Sequence, residues 1–81
     1  MIHPLTSEEL VALSALLAGA RTVREVARRG GKDARVTLRS MELREPSLVV
    51  SQPHPALGEV WGATVDGVST LKRARASGRT G

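Results

Sequence analysis

The sequence predicts an α+β domain of three helices, a two-stranded hairpin and a short C-terminal helix. Two capping boxes, Thr6-x-x-Glu9 and Thr22-x-x-Glu25, each open a stretch of helical apolar periodicity. A third stretch, from Lys32 to Glu45, runs without a breaker until Pro46. Beyond Pro46, two β-prone runs bracket a segment that contains Pro53, Pro55 and Gly58.

The first helix is expected over residues 7–18. Thr6 is its N-cap, and Glu8 and Glu9 in the first turn complement the helix dipole. Leu10, Leu13 and Leu17, with Val11, Ala15 and Ala18, form a wide apolar stripe, and Gly19 is the natural C′ residue. The second helix runs from Val23 to about Arg29. Val23, Val26 and Ala27 face inward, Arg24, Arg28 and Arg29 face outward, and Gly30-Gly31 ends it. Two short helices joined by a tight turn suggest a helix-turn-helix arrangement.

Residues 32–45 admit two periods. Asp33 can cap a helix in which Ala34, Leu38, Met41 and Glu45 share one side, with Val36, Ser40 and Leu43 nearly opposite. Residues 34–39 also alternate as a strand would, but the length of the run favours a helix. Leu48–Val50 reads as a strand, residues 53–58 as a loop, and Glu59–Val65 as the returning strand with Val60 and Trp61. Thr64 or Asp66 then caps a last helix through Val68, Leu71 and Ala74. Residues 76–81 are expected to be a disordered basic tail beyond a single domain at 5–75.

A chain of 81 residues holds one small core. It has no cysteine, which removes disulfides, thiolate metal sites and thiol nucleophiles. No apolar run approaches the roughly 18 residues of a membrane span. No basic region precedes the first apolar stretch, so a signal peptide is not expected and the cytoplasm is the expected compartment. Ser14, Ser40 and Ser51 have no paired base, and Glu8 and Glu9 are helix-start acids. His3 and His54 lie beside prolines without metal-ligand spacing, and Gly30-Gly31 lacks a P-loop pattern. An enzyme is therefore not expected, and no cofactor is implied.

Charge is unevenly placed within the net +4. Residues 21–44 carry eight basic side chains against three acidic ones, and residues 71–81 carry Lys72, Arg73, Arg75 and Arg79 with no acid. Residues 1–20 and 45–70 are acidic. Such concentration is the footprint of a polyanion binder; its plain alternative is a solvated face with a solubilising tail. The single aromatic, Trp61, cannot supply a stacking platform for single strands, and packing of the hairpin against the core is its expected role.

The order of these elements is that of a winged helix-turn-helix domain, and two segments carry the resemblance. LTSEELVALSALLAGARTVREVARRGG is similar to the opening of many bacterial regulators, where a leucine-rich helix and a glycine precede a capped Thr-Val-x-Glu-Val-Ala helix. LREPSLVVSQPHPALGEVWGATVDGVSTL resembles the wing of MarR-like regulators, with Thr64, Gly67 and Leu71 at the spacing of the helix that follows it. The resemblance spans about residues 5–75 and implies duplex-DNA binding and transcriptional control. The chain departs from the pattern in three places. Gly31-Lys32-Asp33 lacks the usual apolar turn residue, the wing tip has no Lys or Arg, and there is no room for long dimerisation helices. Counting along the third helix from Ala27 buries Thr37 and Met41. Counting back from Leu48-Val49 buries Val36, Ser40 and Leu43 instead.

On this reading the third helix enters the major groove. Lys32, Arg35, Thr37 and Arg39 are its candidate base contacts, since arginine can bond guanine bidentately and a threonine methyl can meet thymine. Asp33 opposes them unless it serves as the cap. Arg21, Thr22, Arg24, Arg28 and Arg29 are candidate phosphate contacts. Gln52 and His54 are the wing candidates, and Lys72, Arg73 and Arg75 are a basic tether. For each of these groups the plain alternative is a solvated basic surface. Specificity from so small a reader requires a homodimer or side-by-side binding. The leading expectation is a small transcriptional regulator, associated with the nucleoid when DNA-bound. One rival is an excisionase-like DNA-bending directionality factor. The other is an interaction module, an anti-repressor or polymerase-binding factor, that keeps the fold without reading DNA.

Overall fold

A computed structural model describes residues 5–78. They form an α+β unit with four helices and one two-stranded antiparallel sheet: α1 (Ser7–Leu17), α2 (Val23–Arg28), α3 (Ala34–Glu42), β1 (Val49–His54), β2 (Gly58–Ala63) and α4 (Val65–Gly78). No helix among the described residues is long and apolar enough to cross a membrane.

The first two helices are closed at both ends by short-range bonds. At the start of α1, the Thr6 hydroxyl accepts from the Glu9 amide at 3.1 Å and the Glu9 carboxylate accepts from the Thr6 amide at 2.9 Å. At its end, the Ala20 and Gly19 amides donate to the carbonyls of Ala15 and Leu16, with Gly19 at φ 112°. α2 repeats the scheme. Thr22 and Glu25 make the box, and Gly30 at φ 97° lets the amides of Gly30 and Gly31 reach the carbonyls of Ala27 and Val26. Inside α2 only Val26 is buried; Val23 is half-buried and Ala27, expected inward, is exposed.

α3 departs from expectation at both ends. Asp33 does not cap it through its side chain: the residue sits in the left-handed region at φ 52°, away from the extended conformation a capping side chain needs. The helix stops at Glu42, three residues before the expected end. The Ser47 hydroxyl donates to the Glu42 carbonyl at 2.7 Å and the Leu48 amide to the Met41 carbonyl at 3.1 Å, so the chain turns back as soon as these acceptors are taken. Ala34, Thr37, Leu38 and Met41 are buried, whereas Val36, Ser40 and Leu43 are exposed. The register counted from Ala27 is therefore the one adopted.

The strands pair from Val49↔Ala63 to His54↔Gly58, so the tip is shorter than the loop expected over 53–58. Pro53 is tolerated because β1 is an edge strand with no further ladder to donate to. On the other edge, the Trp61 amide donates to the Arg21 carbonyl at 2.7 Å and fastens the α1–α2 link to β2. Val65, expected in the strand, opens α4. Thr64 is the residue at the junction: its hydroxyl donates to the Ser47 carbonyl at 2.7 Å and accepts from the Gly67 amide at 3.0 Å. α4 continues to Gly78, so residues 76–78 of the expected disordered tail are helical, and 79–81 lie outside the described residues.

One core joins every element: Leu13 and Leu16 from α1, Val26 from α2, Leu38 and Met41 from α3, Leu48 and Val49 at the start of β1, Trp61 from β2 and Leu71 from α4. Gly67 permits the tightest approach, because a Cβ there would collide with the Leu48 carbonyl oxygen. Glu9 is 5% exposed and its carboxylate meets the half-buried Arg44 guanidinium at 2.7 Å, an ion pair between α1 and the segment after α3.

Candidate nucleic-acid interface

Basic side chains gather around α2, its turn and the start of α3. Arg21, Arg24, Arg28, Arg29, Lys32 and Arg35 are all exposed, and among the described residues none of them forms an ion pair. The helix caps explain the arrangement. The glycine-ended α2 turns tightly into α3, which brings Arg24 and Arg35 to the same cleft, while Arg21 lies beside the sheet and Arg29 beside α1.

Thr22, a candidate phosphate contact, is otherwise engaged. Its hydroxyl accepts from the Glu25 amide at 3.1 Å, while the Glu25 carboxylate accepts from the backbone amides of Arg21 and Thr22 at 2.9 and 3.1 Å. The Arg21 amide, then the Thr22 amide, hold the Glu25 carboxyl below its ordinary range. The start of α2 is thus capped by an anion of its own, which leaves phosphate contact to the arginine side chains.

Two of the four candidate base contacts are also placed elsewhere. Thr37 is 8% exposed on the core side of α3 and cannot reach a groove. Arg39 leans toward the hairpin. Its guanidinium bonds Glu42 at 2.6 Å, lies 3.8 Å from Glu59 on β2, and covers the Trp61 ring at 5.1 Å from the centroid. Glu42 also accepts from the Ser51 hydroxyl at 3.0 Å. The Arg39 hydrogen bond, followed by that from Ser51, keeps the Glu42 carboxyl below its usual range. Arg39, Glu42, Ser51, Glu59 and Trp61 thereby clasp α3 to the sheet. Sequence reasoning did not find this clasp, because its members lie on three elements and only Arg39 and Glu42, at i, i+3, have a spacing that signals a pair.

The outer side of α3 is left with Lys32, Arg35, Val36, Ser40 and Leu43. Arg35, Val36, Arg39, Ser40 and Leu43 line an open hollow, and a second cleft runs from Thr22 and Arg24 past Arg35 to Leu57 and Glu59 at the hairpin. At the hairpin tip, His54 Nδ1 accepts from the amides of Ala56 and Leu57, both at 3.0 Å, so its side chain shapes the turn. Gln52 is exposed on β1. Lys72 and Arg73 are exposed on α4, and Arg75 donates to the Ser14 hydroxyl at 3.1 Å, which ties α4 to α1. His3 lies outside the described residues.

Protein-family models, curated proteins and solved structures give no match to this chain.

Proposed function

We propose that the chain is a winged helix-turn-helix protein that binds duplex DNA with sequence preference and acts as a small transcriptional regulator. The observation that carries this reading is the group of six exposed cations from Arg21 to Arg35, set around α2 and the α2–α3 turn with only Glu25 and Asp33 among them. A duplex neutralises such a group through its phosphates, while α3 is a helix of the diameter that a major groove admits. In this reading Arg24, Arg28 and Arg29 grip the backbone, and Lys32 and Arg35 reach base edges. Arg39 holds the hairpin in place instead of reading bases. Two copies bound side by side supply the length of site that one copy lacks.

The test is fluorescence anisotropy with labelled genomic duplexes at two salt concentrations. Binding should weaken steeply as salt rises, and Arg35→Ala should reduce the preference among sequences while leaving non-specific binding in place. A second reading, a protein-interaction module, draws on Glu25 and Glu59 beside the basic group and on the exposed Val36 and Leu43. Absence of duplex binding at low salt would select it.

A further inference from the structure

The outer side of α3 carries two large aliphatic side chains that take no part in the core. Val36 is 70% exposed and Leu43 is 76% exposed. With Ser40 between them they stand at i, i+4 and i+7, so they form one line along the helix. Val36 lies next to Arg35, within the first turn of α3 and at the margin of the basic group; Leu43 lies at the far end, as its C-cap.

A second copy of the chain is a poor occupant for this line. Two aliphatic side chains and a serine fall far short of the roughly 800 Å² per partner that a stable interface buries. The flanking Lys32, Arg35 and Arg39 would also face their own equivalents if two α3 helices met. The same features suit a duplex. The major groove is lined by anionic phosphates, and the apolar group it offers a protein is the C5-methyl of thymine. From Val36 to Ser40 the helix rises about 6 Å, close to two base-pair steps of the groove floor.

We infer that Val36 reads a thymine methyl next to the base edge that Arg35 bonds. The inference rests on duplex binding by α3. It divides the reading face in two: a polar reader at Arg35 and an apolar reader at Val36, with Arg39 held back by Glu42, Glu59 and Trp61.

Duplexes retained by the full chain from a randomised pool at low salt provide the probe. In the best of them each dT is replaced in turn by dU, which removes only the methyl group. Affinity is then measured for the unsubstituted chain and for Val36→Ala, a surface change whose fold is checked by circular dichroism. One replacement should weaken binding by the unsubstituted chain about fourfold, the effect of one buried methyl group, and should leave Val36→Ala unaffected. If every dU replacement acts equally on both proteins, Val36 does not read the methyl, although duplex binding itself stands. Failure of the chain to retain any duplex overturns the DNA reading and this inference together. Concentration-dependent self-association that Val36→Ala abolishes assigns the line to a second copy and likewise overturns it.

Discussion

In the α1–α2 half of the molecule, every helix end is closed by residues within six positions of one another. α3 and the hairpin, in contrast, are joined by side chains far apart in sequence. Thr6 with Glu9 and Thr22 with Glu25 open the first two helices, and Gly19 and Gly30 close them. α3 has no side-chain cap at its start, and it is fixed through Arg39 and Glu42 to Ser51, Glu59 and Trp61. Order in the first half is local in sequence; order in the second depends on the hairpin lying against α3. The basic group lies across the boundary between the two.

The strongest way to break this contrast is at Gly67, where the second half closes onto α4. Gly67→Ala drives a methyl group into the Leu48 carbonyl and should cost about 3 kcal/mol or more, read as loss of the cooperative thermal transition. Thr22→Ala probes the first half alone. Loss of the α2 cap should lower stability by about 1 kcal/mol in denaturant unfolding, with faster amide exchange confined to α2. The smallest effect separates the two halves by pH. Glu42 and Glu25 both have carboxyls held below the ordinary value of 4.5, so the stability each contributes is present above that value and is lost as pH falls through its lower folded value. Glu25 is solvent-exposed and Glu42 partly so, so each effect is small. Glu42→Gln should remove acid sensitivity from the hairpin amides, and Glu25→Gln from those of α2, as hydrogen exchange between pH 5 and 3 would report.

That division also explains what the chain itself discloses. The caps of α1 and α2 are written in neighbouring residues, so both helices and their ends are readable from Thr6, Glu9, Thr22, Glu25 and the glycines. The burial of Thr37 was one of two open registers, because Val36-Ser40-Leu43 is as apolar a set as the one that packs. The early stop of α3 depends on Ser47 and Leu48 folding back onto its carbonyls, which no helix signal within residues 34–45 conveys. Glu9 reads as a first-turn acid, and its second partner, Arg44, is distant in sequence. Among the candidate contacts, the arginines of α2 and the start of α3 are exposed as expected, and none of them forms an ion pair among the described residues although Glu25 lies beside them. Thr37 and Arg39 were reassigned by contacts that only the assembled hairpin and core provide.

Trp61 gives the molecule an optical property of its own. The chain has no tyrosine or phenylalanine, so ultraviolet emission comes from one indole, packed 4% exposed between the core and the Arg39 guanidinium. Any occupant of the α3 face that pulls Arg39 from Glu42 and Glu59 also uncovers that ring. The unlabelled protein therefore reports the state of its own clasp through the colour and yield of a single emitter.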